Sequence, residues 1–178
     1  TASFGQIAGD VIIDCGQPGT AASLRHAIAT GLPASATGQR FPLADVKLLP
    51  VITDPGKIIC VGLNYATHVA ETGRDQKEHP AIFTRWADTL VAHGAPLIKP
   101  AASSRYDYEG ELAVIIGKPG HKIAQADAAV HIAGYSIFND ASARDWQRHN
   151  IQFTPGKNFP GSGAFGPAMV TPDEIADL

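Results

Sequence analysis

Cysteine, methionine, aromatics and charge are all scarce: 178 residues include two Cys, one Met, two Trp, 7% aromatic and 17% charged side chains. Each scarcity excludes a class of protein. Cys15 and Cys60 stand alone without metal-site spacing, and Cys60 lies inside the apolar run KIICVGL, so both read as packing thiols. The 14 basic side chains form no stripe and are outnumbered by 17 acidic ones, for a net charge of -3, which does not suit a phosphate backbone. No apolar segment approaches the ~20 residues that span a bilayer. The first residues lack the charged and then apolar stretches of a secretion leader. The expectation is a cytoplasmic chain with neither nucleic acid nor membrane as partner. His26, His79, His93, His121 and His149 show no zinc-site spacing, and no GxSxG, P-loop or dinucleotide fingerprint is present.

Turn formers, in contrast, are plentiful: 18 Gly and 13 Pro favour a β-containing fold with irregular connections and short helices. The length suits one domain, with a boundary near residue 50 between a small N-terminal lobe (1–50) and a main body (51–178). FGQIAGDVIIDCG reads as a hairpin turning at Gly9-Asp10, and TAASLRHAIATG as a helix capped by Thr20 or Ser23 and closed by Gly31. KIICVGL is a short strand, followed by NYATHVAETG as a helix of about two turns ending at Gly73. HPAIFTRW and APLIKP are strand candidates, AQADAAVHIAG a helix ending near Gly134, YSIFND a strand, ASARDWQRH a short helix and TPGKNFPGSGAFGP a loop. Near the end, Thr171 and Glu174 have capping-box spacing.

The chemistry concentrates in YDYEGELAVIIG, residues 106–117. In an extended chain Asp107, Glu109 and Glu111 share one face, while Tyr108, Leu112, Val114 and Ile116 share the other and read as a buried run. Crowded carboxylates repel one another unless a cation, a proton or water offsets their charge. Oxygen-only ligands favour a hard cation, Mg²⁺ first, with Mn²⁺ or Ca²⁺ as alternatives. Alternating acids are nevertheless common on exposed edge strands, and the pattern alone leaves both readings open. Asp140, at the end of YSIFND, is a further ligand candidate, although its neighbours Asn139 and Ser142 make a helix cap the commoner reading. His68 and Glu71, three apart on the short helix, share a face and suit either a surface pair or a general base with its orienting carboxylate. Lys157, in the Gly-Pro stretch, is either a solvated lysine or a point charge aimed at an oxyanion.

In order and spacing, KIICVGLNYATHVAETG, YDYEGELAVIIGK, GYSIFNDASARDWQ and GKNFPGSGAFGP together resemble the fumarylacetoacetate hydrolase family over roughly residues 50–178. The resemblance implies an α+β fold, a β-rich roll of mixed sheets assembled as a homodimer. It also implies Mg²⁺ or Mn²⁺ held by Glu109, Glu111 and Asp140, with Asp107 standing behind them. His68 and Glu71 match a dyad that activates water, and Lys157 matches a lysine beside the ion. Tyr65, Arg85 and Gln147 are the substrate contacts to be expected, Arg85 standing where relatives commonly carry lysine. The implied substrate is a small 2-oxo acid with a second carbonyl, and the implied reaction is hydrolytic C-C cleavage of an acylpyruvate-like compound through a pyruvate enolate. Decarboxylation of oxaloacetate, isomerisation of a hydroxydienedioate, and dehydration or cleavage of a deoxy-keto sugar acid are alternatives within the family. A binding module without catalysis is an alternative from outside enzymes. The family core extends past the position that Leu178 matches, so an incomplete core is expected here.

Overall fold

Gly9 and Asp10 join two short strands, β1 (Gly5–Ala8) and β2 (Val11–Asp14), with Ala8 paired to Val11. Gly9 takes φ 66°, in the left-handed region that tight hairpins use. This structure, a computed structural model, describes residues 2–16, 23–33, 35–72 and 79–176. A third strand, β3 (Arg40–Pro42), closes the N-terminal sheet against β2. Helix α1 (Leu24–Thr30) begins at Ser23, whose hydroxyl accepts from His26 N at 3.2 Å, and ends at Gly31 with φ 109°. The other candidate cap, Thr20, lies outside the described residues.

β4 (Ile58–Gly62) and β5 (Ala81–Arg85) form an antiparallel pair, and α2 (Ala66–Thr72) follows β4. The proposed helix stop at Gly73 lies outside the described residues. APLIKP is not a strand: Pro96 and Pro100 cannot donate to a ladder. β6 (Leu90–Ala92) takes that place in the fold because it has a partner, running parallel to β11 (Gly163–Phe165). The acidic stretch divides into β7 (Tyr106–Asp107) and β8 (Gly110–Ile116), and β8 pairs antiparallel with β9 (Ile132–Asp140).

Residues 125–131, expected as an α-helix running to Gly134, form a 3-10 helix (Gln125–His131) that stops where β9 begins. Ala124 offers no side-chain cap, and the ladder against β8 claims Ile132 and Gly134. β10 (Ser142–Ala143) pairs with β7 and leads into α3 (Arg144–Gln147). The Gly-Pro stretch, expected as loop, begins as a single helical turn, α4 (Thr154–Lys157), with proline in its first turn where the missing N–H costs nothing. A 3-10 turn (Pro172–Glu174) follows Thr171, whose N–H and hydroxyl both bond Glu174 Oε2, as the spacing predicts.

The main sheet has the order β6-β11-β9-β8, with β6 and β11 parallel and the other pairs antiparallel. Its inner face carries the core: Ile115, Phe138 and Phe165, with Ile52 from the preceding loop. Leu24 and Ile28 of α1 and the lone Met169 pack on this cluster. The architecture is the expected α+β arrangement of mixed sheets with few, short helices.

One expectation reverses. On β8 the acid side of the pleat is the inner side, continuing from Glu111 through Ala113 to the buried Ile115. The side presumed buried faces out, with Leu112, Val114 and Ile116 exposed at 54%, 46% and 64%. The core stands on the opposite face because Phe138 and Ser136 of β9 lie across from Glu111 and Ala113. The acids therefore sit at one end of the core itself. Among the described residues no helix is long and apolar enough to cross a membrane.

Candidate active site

Strand register builds the site. Gly110 pairs with Asn139, so the preceding Glu109 lies beside Asp140, whose N–H donates to the Glu109 carbonyl at 2.8 Å. Asn139 Oδ1 accepts from Glu109 N at 3.2 Å, which fixes the bend between β7 and β8. Glu111 follows two residues on, on the same inner face, diagonal to Asp140.

Asp140 is no helix cap. α3 starts at Ala143 without a side-chain cap, and Asp140 is buried among cations. Its Oδ1 accepts from Arg85 Nη1 at 2.5 Å and its Oδ2 from Lys157 Nζ at 2.6 Å. Lys157 is likewise no solvated lysine, since it is 1% exposed. Its Nζ also bonds Glu109 Oε2 at 2.5 Å and stands 5.1 Å from the Phe83 ring centre. The second oxygen of Glu109 accepts from Arg144 Nη1. Arg144 is held in turn by Asp107 Oδ2, at 3.0 Å from Nε and 2.9 Å from Nη2, and by Gln147 Oε1 at 3.0 Å. Four carboxylates, Asp107, Glu109, Glu111 and Asp140, thus face three cations, Arg85, Arg144 and Lys157.

The two central glutamates respond in opposite directions. Burial alone would raise Glu109, but Lys157 and Arg144 overcome it and hold the carboxyl below its ordinary range. Glu111 is raised, first by burial and then by the charges of Glu109 and Asp140, against the hydrogen bond from Tyr65. Cys60, close to these charges, is pushed up to about 12, chiefly by burial, which fits an inert packing thiol.

Arg85, expected as a substrate contact, lies inside the protein. Its guanidinium is 0% exposed, bonded to Asp140 and, through Nη2, to Ser162 Oγ at 2.6 Å, over the Phe138 ring. Buried between strands, it faces protein and supports Asp140. Tyr65, just ahead of α2, accepts from Leu112 N at 3.2 Å and bonds Glu111, joining the start of that helix to the acidic strand. Gln147 faces Arg144. His68 and Glu71 fall on α2 at the expected spacing of three, but their side chains lie outside the described part of the structure.

Sequence reading missed Arg144 and Ser162. Arg144 had one signal, its spacing of three from Gln147 on a helix, whereas nothing local distinguishes Ser162. Among the described residues no three His, Cys, Asp or Glu side chains stand together closely enough to hold an ion as they are. Glu109 and Asp140 are turned toward Lys157 instead. In chemistry the donor set does fit a hard divalent cation: its atoms are carboxylate oxygens and its acids exceed its cations by one, four against three.

A buried lysine bridging an acid just before one strand and an acid at the end of its partner strand can be compared with known families. The family model described as fumarylacetoacetate (FAA) hydrolase, C-terminal, matches residues 57–178, and the chain belongs to that family. It is 41% identical over 160 residues to oxaloacetate tautomerase FAHD2A, mitochondrial, from Bos taurus, which covers 89% of this chain and 49% of that protein. Among solved structures it is similar to a 2-hydroxyhepta-2,4-diene-1,7-dioate isomerase from Mycobacterium marinum, with 33% identity and a TM-score of 0.78 over 96% of this chain and 62% of that one. It is also similar to fumarylacetoacetate hydrolase from psychrophilic Exiguobacterium antarcticum, with 36% identity and a TM-score of 0.75 over 86% of this chain and 56% of that one. The chain spans about half the length of the curated relatives it matches.

Proposed function

We propose that this chain carries the acidic centre of a divalent-metal-dependent enzyme that converts small 2-oxo acids through an enolate. The observation that carries the reading is Lys157, buried and held by both Glu109 and Asp140 at the end of a core face. Glu109, Glu111 and Asp140 would hold Mg²⁺ or Mn²⁺. When bound, such an ion polarises a substrate carbonyl as a Lewis acid.

The remaining work falls to the chain's own residues. Lys157 presents a desolvated positive charge to the enolate oxygen, where low dielectric strengthens the interaction. Arg144 and Gln147, partly exposed at the mouth of the cluster, orient the substrate carboxylate. Arg85 and Ser162 keep Asp140 in place. His68, with Glu71 orienting its ring, takes the proton. If that proton comes from water, the outcome is hydrolysis of an acylpyruvate-like C-C bond. If it comes from the carbon beside the 2-oxo group, the outcome is keto-enol conversion. The names of the relatives, tautomerase and isomerase among them, favour the second outcome as strongly as the dyad favours the first.

Oxaloacetate and an acylpyruvate, each assayed with Mg²⁺ and with EDTA, separate the two outcomes. Glu109→Gln is expected to reduce either activity to the EDTA background. Turnover of both substrates that survives this substitution would remove the metal reading.

A further inference from the structure

Every carboxylate oxygen of Glu109 and Asp140 is already occupied by a cation from the chain. Arg144 takes one oxygen of Glu109, and Arg85 takes one of Asp140. Lys157 takes the other two, Glu109 Oε2 and Asp140 Oδ2, and its remaining N–H points to the Asp140 carbonyl at 3.4 Å. An ammonium has three donors, so Lys157 is fully used.

The lysine cannot readily move aside. Below it lies the Phe83 ring, and the residue before it, Gly156, packs so closely that an added Cβ would lie 2.4 Å from Gln147 N and 2.6 Å from the Ala143 carbonyl. That fit presses α4 onto α3 and β10 and aims Lys157 between the two acids.

We infer that Lys157 is a resident counter-ion that competes with a divalent cation for Glu109 Oε2 and Asp140 Oδ2, and so sets how tightly the site binds metal. The inference rests on the proposed function, in which these acids bind the ion. Both contributions of Lys157 act in one direction: it repels an approaching cation, and it holds the oxygens the cation needs. Removing the ammonium therefore strengthens metal binding and makes the fold depend on metal. A lysine serving only to stabilise the fold would lower stability equally with and without the ion.

The test is a Mn²⁺ titration of the whole chain, following the electron paramagnetic resonance signal of the free ion. Thermal unfolding in EDTA and in Mn²⁺ accompanies it. Wild type is compared with Lys157→Met, Lys157→Gln, Glu109→Gln and Asp140→Asn. The expected result is Mn²⁺ binding about ten-fold or more tighter in Lys157→Met than in wild type, with a larger rise in unfolding temperature on adding Mn²⁺. Folding of Lys157→Met only when Mn²⁺ is present would support the inference equally.

Unchanged or weaker binding in both lysine variants overturns the competition, while weakened binding in Glu109→Gln shows that the metal reading survives. Lysine variants that stay unfolded with or without Mn²⁺ also overturn it. If wild type and the lysine variants all fail to bind Mn²⁺, or the acid variants bind as wild type does, the metal reading itself is wrong and the inference falls with it.

Discussion

At the residue scale, each buried charge among the described residues, Arg85, Asp140 and Lys157, is accompanied by hydrogen bonds. Arg85 and Asp140 are both buried, and each has a second partner, Ser162 for the arginine and Lys157 for the aspartate. Breaking a buried pair leaves one charge without compensation and costs about 3–5 kcal/mol. Lys157 remains beside Asp140, so Arg85→Met should fall near the lower end of that range in urea unfolding, with Arg85→Lys losing less. Glu111 makes a pH prediction. Its folded-state value is raised, so the folded chain binds this proton more tightly than the unfolded chain does. Stability from that difference is complete below the ordinary glutamate range and is lost as pH rises through the raised value. In urea unfolding across pH, Glu111→Gln should lack this decline, and subtracting the two curves isolates it from the opposite contribution of Glu109.

At the element scale, short pieces succeed because each is tied to a longer one. α3 and α4 have four residues each and would not persist in isolation. α3 is pinned through Asp145, which accepts from Ser103 Oγ at 2.6 Å and Ser104 N at 2.9 Å, and α4 by the close approach at Gly156. Gly156→Ala should therefore destabilise the chain by roughly 1–3 kcal/mol in chemical unfolding, the range for overpacking a filled site. It should also reduce turnover, because Lys157 is the next residue. The helices were partly legible in advance: Ser23 and Gly31 mark α1 by cap chemistry alone. Residues 125–131 were not, because helix-favouring alanines without a cap settled into a 3-10 helix once β9 paired with β8. Propensity is a weak prior when a neighbouring strand competes for the same residues.

For the whole molecule, the notable property is an outward apolar sheet face. Leu112, Val114, Ile116 and Ile137 are all exposed by 46% or more, on two adjacent strands. Contiguous apolar surface of this kind binds hydrophobic probes. A charge placed there removes no buried contact, so Val114→Lys should change stability by no more than about 0.5 kcal/mol. It should lower the fluorescence of a bound hydrophobic dye, which a substitution on the inner face, such as Ile115→Lys, would achieve only by unfolding the chain.

What the sequence determined by itself is the set of local choices: the hairpin at Gly9-Asp10, the caps of α1, the alternation that gathers the acids on one face and the family to which the spacing belongs. Each depends on residues within a few positions of one another, where backbone sterics and hydrogen bonding act directly. The tertiary structure decided which face of β8 is the inside, because that depends on Phe138 and Phe165, distant in sequence. It decided equally that Arg85, Arg144 and Lys157 meet Glu109 and Asp140. An ion pair between residues 55 positions apart, such as Arg85 and Asp140, leaves no periodic trace in the sequence. Only the strand register and the packing of the helices bring such charges together.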